Sequence, residues 1–281
     1  MIKLPPPELD AGDVFRTCIS RIRDIDLKER LSTVEPDVID AAVNFEQLAT
    51  NTCLHQFARE AVVGGVVSTA EMEAVYTQRM AKKRAPGRDI YDKLISLAPY
   101  GKCPLCGHRT VSTLDHHLPK AHYPILVVTP LNLVPSCSDC NKSKLSSHPA
   151  SAREETLHPY FDDIEGEQWL FAEVLPSSPA TLLFRVDAPG VWDEILVDRV
   201  ALHFKTLGLA SLYASQAADE LLNIRHQLRI IHVAGGAAAV QLEMHARAES
   251  CREININSWR TATFEAFARS DWFCDGGFDQ A

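Results

Sequence analysis

Apolar side chains recur at helical spacing through most of residues 1–99, separated by polar positions that would face solvent. The pattern predicts helices over residues 10–22, 36–48 and 90–98, with Asp10 placed to cap the first. Ser68 and Glu71 have the spacing of a capping box, which predicts another helix that runs through Met80. The first third of the chain is therefore predicted to be mostly α-helical.

The pattern changes after Gly101. Residues 110–114 are rich in β-formers and lead into Asp115, and the apolar run Ile125–Thr129 lies between two prolines. We expect both to be short strands, followed by a helix that begins near Cys137. The predicted order is strand, loop, strand, helix.

Residues 169–175 and 181–186 are rich in strand-forming residues, and a Pro-Ser-Ser-Pro connection separates them. The two segments predict a β-hairpin. Helical spacing returns from Trp192, with helices expected over residues 212–231 and 256–267. The fold class is therefore α+β, a small mixed core within a mostly α-helical protein. We divide the chain into a helical region (1–99), a central core (100–150) and a hairpin with helices (151–281).

Composition adds a charge asymmetry to this pattern. The 281-residue chain has a net charge of −9, yet residues 79–148 hold eleven Lys and Arg against four acids, a net of +7. Lys82, Lys83, Arg84 and Arg88 form a basic turn that is either a solvated loop or a phosphate-binding one. We expect a cytoplasmic protein with no membrane association, because the longest uncharged apolar run covers only residues 230–240 and the N-terminus lacks a signal peptide's apolar core.

Four of the eight cysteines form two Cys-x-x-Cys pairs, Cys103/Cys106 and Cys137/Cys140. Four thiolates at this spacing predict one tetrahedral, structural Zn²⁺. A plain zinc ribbon is the alternative, but the 30 residues between the pairs exceed its usual length of about 15–20. A redox dithiol is less favoured, because neither pair follows a thioredoxin-like strand. The other cysteines are interpreted as small buried hydrophobic residues.

Reactive side chains lie between and beside the two pairs. Asp115 and the amide of Asn141 offer hard oxygen ligands suited to Mg²⁺ or Mn²⁺. His116 follows Asp115 directly and can act as a base near neutral pH. Together they predict metal-assisted hydrolysis of phosphodiesters.

The strings D-H-H, N-L-V-P and C-S-D-C-N resemble the HNH, or ββα-metal, nucleases, in particular their branch with two Cys-x-x-Cys pairs. The resemblance covers Gly101 to Lys144. It implies a ββα-metal endonuclease core with Asp115 as metal ligand, His116 as general base and Asn132 as a brace for the loop that orients it. Asn141 stands where many members have a final His, which gives an H-N-N variant. DNA cleavage leaving 5′-phosphate and 3′-hydroxyl ends is the implied activity.

Further residues are predicted to contact substrate: Lys120, Lys142, Lys144, His117 and His158. His158 belongs to an H-P-Y-F-D string that is expected either to pack back on the site or to anchor the hairpin. Bacterial HNH proteins with large helical flanks resemble phage-defence effectors, which often have an ATPase partner. A non-catalytic zinc-containing nucleic-acid-binding module and an RNA-directed nuclease are the alternative functions.

Overall fold

A computed structural model describes residues 1–144 and 148–280. It contains two compact units, residues 1–163 and 164–281. The described part is mostly helical, with three separate two-stranded antiparallel sheets. The three-part division of the sequence stays a prediction. No helix within the described residues is long and apolar enough to cross a membrane.

Within its described residues, the first unit has six α-helices and two small sheets. Its helices are α1 (Ala11–Ile19), α2 (Ile25–Thr33), α3 (Glu35–Thr50), α4 (Thr69–Arg79), α5 (Arg88–Ile95) and α6 (Ser138–Lys144). Its strands are β1 (Val62–Val63), β2 (Val67–Ser68), β3 (Thr113–His116) and β4 (Leu133–Ser136). Asp10 caps α1 through the amide of Asp13, and the predicted capping box of Ser68 and Glu71 opens α4. The sequence pattern had not indicated α2 or the β1–β2 hairpin.

One hydrophobic core joins the N-terminal helices to the cysteine-containing segment. Phe15, Phe45 and Met72 from the helices are fully buried in the same cluster as Leu114 and Val128. Burial of such side chains contributes roughly 1.5–3 kcal/mol each. The segment that carries Asp115 and His116 is therefore positioned by the helical core of residues 1–163.

Two strand predictions in this segment are wrong in position. The first strand begins at Thr113, so Asp115 and His116 lie within it rather than after it. Residues 125–129 are not a strand: a 3₁₀ turn, Pro124–Leu126, opens this stretch. A second 3₁₀ turn, Pro130–Asn132, follows it, and the proline at the start of each turn favours a bent backbone. The apolar run is buried by packing and does not pair with any of the described strands.

The second strand is β4, which pairs antiparallel with β3. Leu114 lies opposite Pro135, and a proline is tolerated because a two-stranded sheet leaves one side of each strand unpaired. Helix α6 follows β4 within the cysteine pair, starting at Ser138. The order strand, loop, strand, helix is thus present with a different second strand.

The second unit packs helices on a hairpin. Strands β5 (Leu170–Leu175) and β6 (Thr181–Val186) form the predicted hairpin, followed by α7 (Glu194–Thr206), α8 (Leu209–Arg252), α9 (Trp259–Arg269) and α10 (Asp271–Cys274). The buried amide of Asn257 accepts from the backbone N–H of Trp169 at 2.8 Å and donates to Glu167 O at 2.8 Å. This side chain ties the loop before α9 to the start of the hairpin.

Helix α8 is not one straight rod. Gly236 breaks it with φ 65° and ψ −162°, a conformation that is essentially restricted to glycine. On the two sides of the break, Gln227 donates to Glu243 at 3.3 Å and accepts from Arg247 at 2.7 Å. Residues 20 apart would lie about 30 Å apart in a continuous helix. The two arms of α8 therefore form an αα-hairpin.

Candidate functional site

Four buried thiols form the first part of the site. The sulfur atoms of Cys103, Cys106, Cys137 and Cys140 all lie within 4.8 Å of one another. A tetrahedral zinc with Zn–S bonds of about 2.3 Å requires sulfur–sulfur separations of about 3.8 Å. The cluster therefore fits one zinc ion, and four protein ligands would make that ion structural.

Each cysteine pair is held in a tight turn. Gly107 adopts φ 63° and donates to Cys103 O at 2.8 Å, which closes the first turn. Backbone N–H groups also point at sulfur: Arg109 N lies 3.4 Å from Cys106 Sγ, and Cys140 N lies 3.4 Å from Cys137 Sγ. These donors favour the thiolate form that zinc requires.

A surface ion pair joins the two turns. The guanidinium Nε of Arg109 lies 2.9 Å from Asp139 Oδ2, and Asp139 is in the first turn of α6. The thiol cluster and this pair together fix the start of α6 against the first turn. Sequence analysis had not singled out either charged residue.

Asp115 lies on β3 opposite Val134 and is buried. Its Oδ2 is 3.0 Å from Lys144 Nζ, and the same ammonium donates to His117 O at 2.8 Å. Burial raises the pKa of Asp115, whereas the charge of Lys144 acts to lower it. The buried carboxylate is thus paired through Oδ2 with the ammonium of Lys144.

His116 is buried one residue further along β3. Its Nε2 lies 2.9 Å from the carbonyl oxygen of Val127. Because a carbonyl only accepts, Nε2 carries the proton in the neutral ring and Nδ1 keeps its lone pair. Burial lowers the pKa of His116 to about 4, so the imidazole is neutral at pH 7. Tyr76 packs edge-on against the ring at 4.4 Å between centroids.

Asn132 is fully buried and connects the loop to the strands. Its Oδ1 accepts from Leu118 N at 2.7 Å, and its Nδ2 donates to Leu118 O at 3.1 Å and Leu126 O at 3.3 Å. Its backbone carbonyl accepts from His117 N at 2.8 Å. These bonds hold the stretch that follows His116 in one conformation.

Asn141 lies in α6, half-buried, and its Nδ2 is 3.5 Å from Leu114 O on β3. Among the described residues its Oδ1 accepts no hydrogen bond, which leaves an amide oxygen for another partner. The structure thus places Asn141 beside the strand that bears Asp115.

The predicted substrate-contacting residues have different environments. Lys142 is exposed, Lys120 lies 3.6 Å from Glu73 of α4, and Lys144 is buried against Asp115. The His117 and His158 rings lie 4.1 Å apart between centroids, tilted by 35°, with both residues buried. Lys144 and His117 therefore lie in the interior beside Asp115 rather than on the surface.

The H-P-Y-F-D string packs back on this segment. His158 Nε2 donates to Leu131 O at 3.0 Å, and Tyr160 donates to Leu133 O at 2.9 Å. The N-terminal segment holds the other side of the string, since Leu4 N donates to Pro159 O at 2.9 Å. The string thus supports the strand opposite His116.

Two contacts of the site could not be read from motifs. Tyr76 comes from α4, 40 residues before His116, and it carried only a core signal in the helical pattern. The Val127 carbonyl belongs to a stretch that was predicted as a strand. Neither had a sequence signature, because packing from a distant helix and a backbone acceptor leave none.

Comparison with known proteins gives two relatives. The chain is similar to Protein ea31 of Escherichia phage lambda, with 28% identity over 296 residues that cover 98% of this chain and all of that protein. It is also similar to Septu protein PtuB of Bacillus thuringiensis, with 30% identity over 139 residues, 47% of this chain and 53% of PtuB. The second similarity therefore involves about half of each protein. No protein-family model and no solved structure matches the chain.

Proposed function

We propose that this protein is a metal-dependent endonuclease of the HNH type that hydrolyses DNA phosphodiester bonds. One observation carries the proposal. A neutral, oriented His116 directly follows a buried carboxylate on β3, in the same unit as a buried four-cysteine cluster. A structural zinc module alone requires neither the buried Asp115 nor the fixed tautomer of His116.

His116 is the general base of the proposed reaction. Nδ1 takes a proton from water, and the resulting hydroxide forms a bond to phosphorus. The bond from phosphorus to the 3′ oxygen breaks, and that oxygen leaves with the electron pair and takes a proton from solvent water. His116 returns its proton to the resulting solvent hydroxide. The products carry a 5′-phosphate and a 3′-hydroxyl. The Val127 carbonyl and the Asn132 bonds keep the imidazole oriented through the reaction.

Asp115 and Asn141 would hold the catalytic Mg²⁺ or Mn²⁺. Their oxygen donors suit a hard ion, and such an ion would displace the ammonium of Lys144 from Asp115 Oδ2. Such an ion supplies charge stabilisation for the phosphate when bound. Zn²⁺ has a separate, structural role at the four cysteines.

A role in defence against phage is part of the proposal. The partial similarity to Septu protein PtuB, together with the four-cysteine cluster, fits a defence-related nuclease that contains zinc. The relative that matches over its full length comes from a phage. An ATPase partner follows from the resemblance to HNH effectors; vigorous cleavage by the purified protein alone would count against that requirement.

Nicking of supercoiled plasmid tests the catalytic proposal. With Mg²⁺ or Mn²⁺, wild type should convert the plasmid to open circles, and His116→Ala should lower the rate about 100-fold or more. His226→Ala is the matched control, because His226 is an exposed residue of α8. Equal nicking by wild type and His116→Ala would refute the assignment. A single-stranded RNA of matched length, cut faster than DNA, would favour the RNA-directed alternative.

A further inference from the structure

A strongly basic groove lies in the first unit, between the α1–α2 connection and the loop that follows α4. Its volume is about 470 Å³. Six cationic side chains line it: Arg21, Arg23, Arg79, Lys82, Lys83 and Arg84. Its acidic residue, Asp24, is already engaged, since its carboxylate caps α2 through Leu27 N at 3.1 Å.

The groove cations are not neutralised by the protein. Across residues 1–144 and 148–280, none of the six forms an ion pair, and the guanidinium of Arg79 makes a single hydrogen bond, to Arg21 O at 3.5 Å. Other arginines of the same unit do have acidic partners, namely Arg16 with Glu35, Arg30 with Glu71 and Arg88 with Asp92. In a chain of net charge −9, six unpaired cations at one groove form a site for an external polyanion.

The backbone of the loop is fixed before any ligand arrives. Gly87 N donates to Arg79 O at 2.9 Å, and Ala85 N donates to Lys82 O at 3.1 Å. A Cβ at position 87 would lie 2.7 Å from Cys18 Sγ of α1, so glycine allows the loop to close on that helix. A preorganised loop loses little conformational entropy when it binds a ligand.

Helix α4 links the groove to His116. Tyr76 contacts the His116 ring, and Arg79 lies three residues later on the same helix, about 4.5 Å further along its axis. The exposed Lys82 and Lys83 lie three and four residues after the end of the helix. Duplex DNA carries a phosphate charge about every 1.7 Å along its axis, so a groove lined by six cations can meet several phosphates of one duplex.

The lining indicates which part of a nucleic acid would bind. The uncharged side chains of the groove are aliphatic or amide, and no aromatic ring lines it among the described residues. Single-strand sites typically use aromatic rings on which bases stack. Point charges without rings suit phosphate groups, which carry no sequence information.

We propose that this groove binds the sugar-phosphate backbone of duplex DNA beside the scissile bond. This inference rests on the proposed nuclease function and adds an anchoring surface to it. The groove would hold the duplex without reading its sequence and would bring a neighbouring phosphodiester to His116.

Fluorescence anisotropy tests the groove. It measures the affinity of the protein for a labelled duplex of about 20 bp, without added divalent metal. All variants are made in the His116→Ala background, so that binding is measured without cleavage. Each phosphate contact contributes about eightfold to affinity at 0.1 M salt. Lys82→Glu/Lys83→Glu should therefore weaken binding by about 60-fold and lower the slope of log K against log salt by about 2.

Two control variants separate the groove from other effects. Lys82→Arg/Lys83→Arg keeps both charges and should bind within about twofold of the parent. Lys93→Glu/Lys205→Glu changes the net charge equally at two exposed lysines outside the groove and should bind nearly as the parent does. Far-UV circular dichroism and zinc content should be unchanged in all three.

The groove proposal is overturned if the Lys82/Lys83 charge reversal leaves affinity and salt slope unchanged, or if the Lys93/Lys205 variant loses as much affinity. Failure of the nuclease proposal has a different signature. In that case, plasmid nicking by wild type is absent or independent of His116, whatever the duplex affinity.

Discussion

Replacement of Asn132 by alanine is the sharpest test of how the site is held together. The side chain is fully buried, and its amide satisfies both the N–H and the carbonyl of Leu118. The substitution also removes the hydrogen bond from Asn132 to Leu126 O. That loss matters less, because Leu126 O still accepts from Thr129 N at 3.2 Å. The substitution therefore leaves two buried backbone groups of Leu118 without partners.

Each orphaned buried group costs about 1–3 kcal/mol. The two groups together predict a loss of about 2–6 kcal/mol in the local free energy of opening. A value of about 3 kcal/mol, in the lower half of this range, corresponds to a roughly 160-fold decrease in amide protection, at 1.36 kcal/mol per factor of ten. Asn44→Ala is the control: Asn44 is exposed on α3, and the expected change is within about 0.5 kcal/mol.

Hydrogen–deuterium exchange measured by mass spectrometry gives the amide protection of each peptide. Exchange of the amides in β3 and β4 should accelerate in Asn132→Ala, while peptides of β5 and β6 provide an internal reference. Plasmid nicking by the same variant should fall, because the stretch after His116 is no longer held. Acceleration of less than tenfold in β3 and β4 would refute the bracing role of the amide.

Three other changes have defined outcomes. Cys106→Ser should lower the zinc content and the melting temperature of the first unit. Cys251→Ser, at a half-buried position outside the cluster, should retain zinc. Inductively coupled plasma mass spectrometry measures the zinc content, and thermal unfolding measures the melting temperature. Arg30 holds the pKa of Glu71 at about 2, and a lowered pKa stabilises the fold above the ordinary pKa near 4.3. The stability advantage of wild type over Glu71→Gln in urea should therefore shrink as pH falls from about 5 to 2, and an advantage that persists at pH 2 would contradict this. Tyr76→Phe should retain nicking, because an aromatic ring still packs against the His116 imidazole. Tyr76→Ala should lower the free energy of unfolding by about 3–5 kcal/mol. Equal nicking and equal stability of the two variants would exclude a packing role for the Tyr76 ring.

Sequence reasoning succeeded where local chemistry determines the outcome. The pairs Cys103/Cys106 and Cys137/Cys140 converge in space, as the two-residue spacing predicted. The capping box of Ser68 and the hairpin of residues 170–186 depend on neighbours in sequence, and both are present. These features need no information about distant packing.

Sequence reasoning failed where burial on all sides removes the alternation of apolar and polar residues. Residues 125–129 are buried throughout, so they have no alternation that distinguishes a strand from a bent loop, and the true second strand contains Pro135. Lysine is rarely buried, so nothing in the sequence indicated that Lys144, which was predicted to contact substrate, would pair with Asp115 in the interior. Long-range partners decided both cases.

The break at Gly236 has a consequence for how copies of this chain could associate. Both arms of α8 are helical up to the break, and Ala237, Ala238 and Ala239 follow it. Alanine at position 236 cannot adopt its φ and ψ easily, so Gly236→Ala would favour a continuous helix of 44 residues, about 66 Å long. The second arm of one molecule would then pack on the first arm of another. Light scattering should detect this domain-swapped dimer, and a variant that stays monomeric with unchanged helicity would exclude it.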